Sequence, residues 1–345
     1  MMDRLGLSLL LLAMGCGDDG ETTPGEVNRD ASMEAAVDAS ADATVDRMTS
    51  EPDATADASS DATSDADAMV DAMTPRTCMG GDTYTYVLNV IDYAAPDSGI
   101  SEGFDIDGMV SDATDVMSCN KVDFTSPAPA SAPGVDNQMG VVLDLVRGFV
   151  DVSMAVSEGL SEGTLIVLLQ VRHVDDLMTD DCVTLDVLFG RLPMGVSMPA
   201  LDGMGRILAG QTFDINASRS FMPGTMTPLV SFPGSVIAGG TLEVQSLGTW
   251  PVDFPTDMGR ATVNVMEPRA RFDITPTSLT NGVVGGVLDV AETSDTLVAV
   301  SGQSPFIVNG LLSSNADLDR IGGTCTSISL ALTVAGVPAT LGMTR

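Results

Sequence analysis

Tyr84, Tyr86, Leu88 and Val90 alternate through Thr83 to Tyr93, the period of a strand with one buried face. Val183, Leu185 and Val187 repeat the pattern after Cys182. Further apolar runs bounded by Gly, Pro and Asp predict strands over Thr164 to Val171, Ile207 to Ile215, Thr241 to Gln245, Ala261 to Val265, Ala270 to Thr275 and Thr326 to Val334. One stretch departs from that period. Val141, Val142, Leu145, Phe149, Val152 and Val156 recur at three- and four-residue intervals, which predicts one or two amphipathic helices beginning after Asp136 as N-cap. A second helical patch is expected between Glu292 and Leu312. The pattern predicts a mainly β domain, an antiparallel sandwich or barrel-like body with short helices inserted in loops. The runner-up is a two-domain division near residues 220 to 230.

The start of the chain follows another logic. Leu5 to Met14 is an apolar run about half the length a bilayer span needs, so it reads as the core of a signal peptide. Ala13, Met14 and Gly15 directly precede Cys16, and this resembles the lipobox of bacterial lipoproteins. The resemblance implies cleavage after residue 15 and lipid on the Cys16 thiol. Each buried lipid CH₂ contributes about 0.8 kcal/mol, so several acyl chains anchor a protein for good. Gly17 stands where an Asp commonly marks inner-membrane retention, which points to the outer membrane or the cell surface.

Residues 17 to 76 are nearly all Asp, Ala, Ser, Thr, Glu and Pro. Carboxylates recur every fourth residue at Asp38, Asp42 and Asp46 and again from Asp53 to Asp65, so in a helix they would stack and repel on one face. With no aromatic residue to offset the cost of ordering, the segment is expected to be a disordered acidic tether spanning on the order of 40 Å. It carries 12 Asp, 4 Glu and 3 Arg, a net of −13 within a chain total of −33. Because Asp3 and Arg4 cancel, −20 remains on residues 77 to 345. Such a surface is a poor partner for nucleic acid or anionic lipid, and a better one for cations or a basic protein.

Once Cys16 is lipidated, Cys78, Cys119, Cys182 and Cys325 remain, an even number in a chain bound for an oxidising compartment. Two disulfides are expected, in any of three connectivities. Asp105-Ile-Asp107-Gly108, with Asp112 behind it, offers hard oxygen ligands at alternate positions. Asp123, Asp136 and Asn137 are expected to converge on them, which makes calcium the candidate cofactor. The EF-hand pattern is not met, and the competing reading is plain turn chemistry. His173 is the one histidine and has no nucleophile elbow to serve; C-x-x-C spacing and phosphate-binding glycine patterns are absent too.

Cys119-Asn-Lys-Val-Asp123-Phe124-Thr-Ser126-Pro127, followed by Gly134-Val135-Asp136-Asn137-Gln138, resembles a segment of uncharacterised bacterial secreted lipoproteins. Those proteins also tend to carry an Asp-rich loop before their last strands, and Asn315 to Cys325 corresponds to it here. The family implies no activity. The leading expectation is therefore a membrane-anchored, non-enzymatic surface module that binds an envelope or extracellular partner or helps build the envelope. The second is an envelope hydrolase of carbohydrate or ester, using Asp175 with Asp176 or Asp180 with Asp181, although adjacent residues of a strand face opposite ways. The third is a carrier of an apolar ligand inside the β body.

Cys16→Ser should move the protein to soluble fractions or leave the precursor uncut. Detergent partitioning checks this, and an unchanged detergent-phase fraction counts against lipidation.

Overall fold

Strands with one apolar face must bury it under another layer or close on themselves, and this chain takes the second course. The computed structural model describes residues 78–147, 151–245, 248–256, 259–301 and 303–345; Cys16 and residues 17–76 lie outside them. In chain order come β1 (Asp82–Tyr93), β2 (Phe124–Thr125), β3 (Pro133–Val135), α1 (Gln138–Val146), α2 (Val152–Glu162), β4 (Val167–Val174) and β5 (Thr179–Arg191). Next are β6 (Gln211–Ile215), α3 (Ala217–Ser220), β7 (Val230–Ala238), β8 (Thr241–Gln245), β9 (Thr249–Thr256) and β10 (Gly259–Thr275). The last are β11 (Ser278–Asp289), α4 (Val290–Ser301), α5 (Pro305–Asn315), β12 (Leu318–Ile321) and β13 (Thr324–Thr344).

Going round the ring, β1 pairs with β4, then come β5, β7, β8, β10, β11 and β13, and β13 returns to β1. Every one of these pairings is antiparallel, so the eight strands form a closed barrel and leave no free edge in the ring. β6, β9 and β12 attach outside it. The ring strands on either side of residues 220–230, β5 and β7, are neighbours in this one barrel.

Alternate residues Leu165, Val167, Leu169 and Val171 meet Val183, Leu185, Val187 and Phe189 in the interior, with Leu242, Phe272 and Leu279 from the far wall. Tyr86 also points inward. Its hydroxyl donates to the Thr275 carbonyl at 2.6 Å, and burial pushes the phenol up to about 12, so it stays neutral. An apolar cavity of about 50 Å³ lies beside Leu88, Val167, Phe189, Trp250 and Val334.

Two patches on the outside are covered as well. Ile166 and Leu168, on the opposite face from Val167, pack with Val87 and Leu188 under Ile207, Phe213 and Phe221. That second cover explains why Leu165 to Leu169 is a continuous apolar run rather than an alternating one. On another side, Phe104 and Ile106 lie on Met266, Val287 and Leu318.

Several elements differ from the sequence expectation for identifiable reasons. Ala261 to Val265 and Ala270 to Thr275 belong to one 17-residue strand, β10, whose register shifts between Met266 and Arg269. Pro268 sits in that irregularity, where a missing N–H is tolerated. The strand expected from Ile207 begins only at Gln211, because Ile207 still belongs to a turn that bridges back to Leu201. β7, β9 and β11 escape the period-two reading: Pro233 and Gly234, Pro251 and Pro255, and Gly285 with Gly286 interrupt their alternation. At the expected first helix, the N-cap is Asn137 rather than Asp136, its side chain accepting from the Gly140 amide at 3.2 Å.

Cys78 pairs with Cys182 and Cys119 with Cys325, across separations of 104 and 206 residues. Closing loops that long removes chain entropy worth roughly 5 kcal/mol each in the entropy model. Non-reducing peptide mapping should return these two pairs and no others. Cys78→Ala with Cys182→Ala should lower unfolding stability by about 2 to 5 kcal/mol in a denaturant titration.

Candidate cation site

The loop from Glu102 to Met109 lies on the outer face of β10 and β11, and two arginines of β10 hold it there. Arg269 donates to the carbonyls of Asp105 and Ile106, while Arg271 donates to the Gly103 carbonyl and pairs with Glu102 at 2.6 Å. The Arg271 guanidinium also lies 5.3 Å from the centre of the Phe104 ring. Gly285 makes the seat possible. A Cβ there would lie 2.9 Å from the Phe104 ring and 2.8 Å from the Leu330 carbonyl.

Asp136 enters from the other side. It follows β3, and its backbone amide donates to the Phe104 carbonyl at 2.9 Å. Its buried carboxylate accepts the Ile106 amide at 2.6 Å, so the acid loop is wrapped around it. One carboxylate oxygen from each of Asp105, Asp107 and Asp136 lies within 4.8 Å of the others. Asp105 and Asp107 are exposed, Asp136 is buried, and the group is open on one side.

Asp123 and Asp317 extend the cluster. Asp123 is half-buried, accepts the Ser111 amide at 2.6 Å and lies within electrostatic reach of Asp105, Asp107 and Asp136. Asp317, just before β12, accepts the Ser329 amide at 2.9 Å and the Ser329 hydroxyl at 2.5 Å. Its charge is felt at Asp136, and that of Asp123 at Asp317. Burial is the largest cause of the shift in all three, and neighbouring carboxylates add to it: Asp136 is raised to about 8, Asp317 to about 7, and Asp123 above its ordinary range.

Of the six residues expected to form the site, Asp105, Asp107, Asp123 and Asp136 come together, and two do other work. Asp112 accepts the amide and hydroxyl of Thr114 at 2.7 and 2.6 Å, a local turn. Asn137 is fully buried, and both ends of its amide are committed: Nδ2 to the Ala94 carbonyl and the Ser101 hydroxyl, Oδ1 to the amides of Gly140 and Ala331. It positions the loops rather than offering a ligand. Asp317 was not among the six, although the spacing Asn315-Ala-Asp317-Leu-Asp319 before the last strand was its signal.

The other acids and the histidine have different partners. His173 Nδ1 faces the Gly80 carbonyl at 3.1 Å, and Nε2 lies 3.4 Å from Arg172. Asp180 accepts the amides of Asp175 and Cys182, and Asp176 accepts that of Met178. Compared with protein-family models, curated proteins and solved structures, the chain matches none of them.

The raised carboxyls set a pH dependence for the cation-free protein. A carboxyl whose folded pKa exceeds its unfolded value of 3.8 binds its proton more tightly when folded. The stability that Asp136 and Asp317 contribute is therefore fullest below about pH 4 and is lost as pH rises toward the folded values near 7 and 8. Melting temperature in chelator at fixed ionic strength should fall between pH 5 and 8.5, and Asp136→Asn should flatten the slope. A parent protein whose melting temperature is level or rises over that range would contradict the assignment.

Proposed function

We propose that this chain is a lipid-anchored extracytoplasmic protein of the bacterial outer membrane or cell surface. Its barrel is a non-enzymatic binding or structural module of the envelope, stabilised by calcium at Asp105, Asp107, Asp123 and Asp136. The observation that carries the cation reading is the meeting of three carboxylates within 4.8 Å, one of them buried beneath a loop wrapped round it. An all-oxygen donor set suits a hard cation and not zinc. The two exposed carboxylates leave room for the water molecules that complete calcium's coordination.

The binding or structural reading also draws on how the other acids are engaged. The pairs weighed for hydrolysis, Asp175 with Asp176 and Asp180 with Asp181, lie in and beside a turn that uses the carboxylates of Asp176 and Asp180 for backbone amides. A hollow of about 370 Å³ beside Tyr93, Ile100 and Pro127 contains Asp97 and Glu102. Glu102 is paired with Arg271, and Asp97 accepts the Ser98 hydroxyl. The carrier reading needs a pocket of roughly 300 Å³ or more, against the interior cavity of about 50 Å³.

Calcium that binds the folded state alone stabilises it by mass action, by roughly 2.7 kcal/mol at a hundred times its dissociation constant. Salt also relieves repulsion in a domain this acidic, so the test compares melts in millimolar calcium and in sodium chloride of matched ionic strength. Calcium should raise the melting temperature beyond the control, and Asp105→Asn with Asp107→Asn should abolish the excess. Equal melts in the two salts, or a double variant that responds like the parent, would refute the site.

A further inference from the structure

Residues 191–229 form the layer over the outer face of β1, β4 and β5, and three tight turns rise from it. Val196 N–H closes the first on the Pro193 carbonyl, Gly205 N–H the second on Asp202, and Thr225 N–H the third on Met222. Each turn has a glycine at positive φ, Gly195, Gly205 and Gly224, where a side chain would strain the backbone. Each also displays a methionine, within the turn or directly after it: Met194, Met204 and Met226 are 82%, 71% and 64% exposed.

The bases of the turns share one apolar floor. Leu192, Leu201 and Phe221, which lead into them, all pack in the cluster built on Ile207 and Phe213. The Gln211 side chain clamps the middle turn by bonding Ala200 and Leu208. Met198, Met222 and Leu208 are exposed on the same layer. Firm turns thus hold flexible, apolar side chains in water, where they gain nothing for the fold.

Charge argues for what covers them. Residues 77 to 345 carry −20, yet residues 191–229 hold three arginines, Arg191, Arg206 and Arg219, against two aspartates. Both aspartates are already engaged: Asp202 by the amides of Met204 and Arg206, Asp214 by the Met343 amide and the Arg345 guanidinium. An anionic bilayer repels the rest of the domain and not this face.

We propose that the methionine-bearing turns of residues 191–229 dock the barrel on a phospholipid surface. Lipid accepts protruding, flexible side chains without matching their shape, whereas a stable protein interface needs roughly 800 Å² of close-packed surface on each side. The docking face shares no residue with the cation site. Lipid on Cys16 would bring a bilayer within reach, and the face would then set which side of the barrel lies against it.

The test removes the anchor and keeps the face. The mature form with Cys16→Ser is floated with vesicles of phosphatidylethanolamine and phosphatidylglycerol, beside the same chain carrying Met194→Ser, Met204→Ser and Met226→Ser. The parent should float with the vesicles, and the triple variant should bind roughly tenfold more weakly with an unchanged melting temperature. No flotation of the parent, or equal flotation of both, overturns the proposal. Should the substitutions instead abolish concentration-dependent self-association in sedimentation while flotation is unaffected, the face belongs to a second copy of the chain. Because the cation test reads calcium-dependent melting, either proposal can fail without the other.

Discussion

The last strand, β13, is the member on which the remainder hangs. Its 21 residues pair with β1 and β11 to close the barrel, and with β6 and β12 outside the ring. Ile328, Leu330, Leu332 and Val334 join the interior core. The alternate set does different work. Cys325 holds Cys119, the Ser327 carbonyl accepts the Asp317 amide, Ser329 bonds both Asp317 and Gln138, and Ala331 bonds both Asn137 and Ala94. A period of two thus divides one strand into a wall for the core and a rail for the loops that carry the acids. A one-residue slip would exchange the two sets, placing serines in the core and leucines under the site.

The electrostatics of the acid loop follow from where its cations are spent. Arg269 and Arg271 stand beside the cluster, but their guanidinium groups bond the loop's carbonyls and Glu102. They fix the loop's shape without neutralising Asp107, Asp123 or Asp136. Buried carboxylates in each other's company cannot all ionise cheaply, and the raised values at Asp136 and Asp317 express that cost. Protons relieve it one charge at a time. A divalent cation relieves it for several carboxylates at once, provided they already converge, and the seat of the loop's Phe104 on Gly285 is what makes them converge. The Cys119–Cys325 disulfide adds a second restraint, tying the stretch before Asp123 to the start of β13.

Much of the fold was legible because burial leaves a period. The strands at Thr83 to Tyr93, Val183 to Val187 and Thr241 to Gln245 read correctly as strands. Val183 to Phe189 is nevertheless buried on both faces, and the shift in register after Leu88 puts Ile91 and Tyr93, rather than Val90, against the core. The paired helices after Asn137 read from their three- and four-residue spacing, and the helical patch expected between Glu292 and Leu312 is the pair from Val290 to Asn315. Legibility ended where another constraint overwrote the period. In β11, Gly285 and Gly286 are small because Phe104 and Val265 come too close for a side chain, so a strand of the ring resembles a loop. In β9, paired on one side to β10, prolines are tolerated that a central strand would reject.

The site was only partly legible, because an aspartate that makes a turn and one that faces a shared cavity are the same letter. Asp112, Asp115, Asp176 and Asp202 accept amides two residues along the chain, the bond that makes Asp common in turns. Asp107 does the same with the amide of Met109 and Asp105 accepts that of Gly108, three residues along, so nothing local marks them as different. What separates them is a partner far away in sequence. Asp136 reaches Ile106 across 30 residues, and Asp317 shares a strand with Asn137 although 180 positions part them in the chain. The spacing of acids along a loop therefore identifies residues able to serve a cation, and the topology of the chain selects which of them meet. Asp112 satisfied the spacing yet closes a turn of its own, whereas Asp317, held by Ser329, lies within electrostatic reach of Asp136.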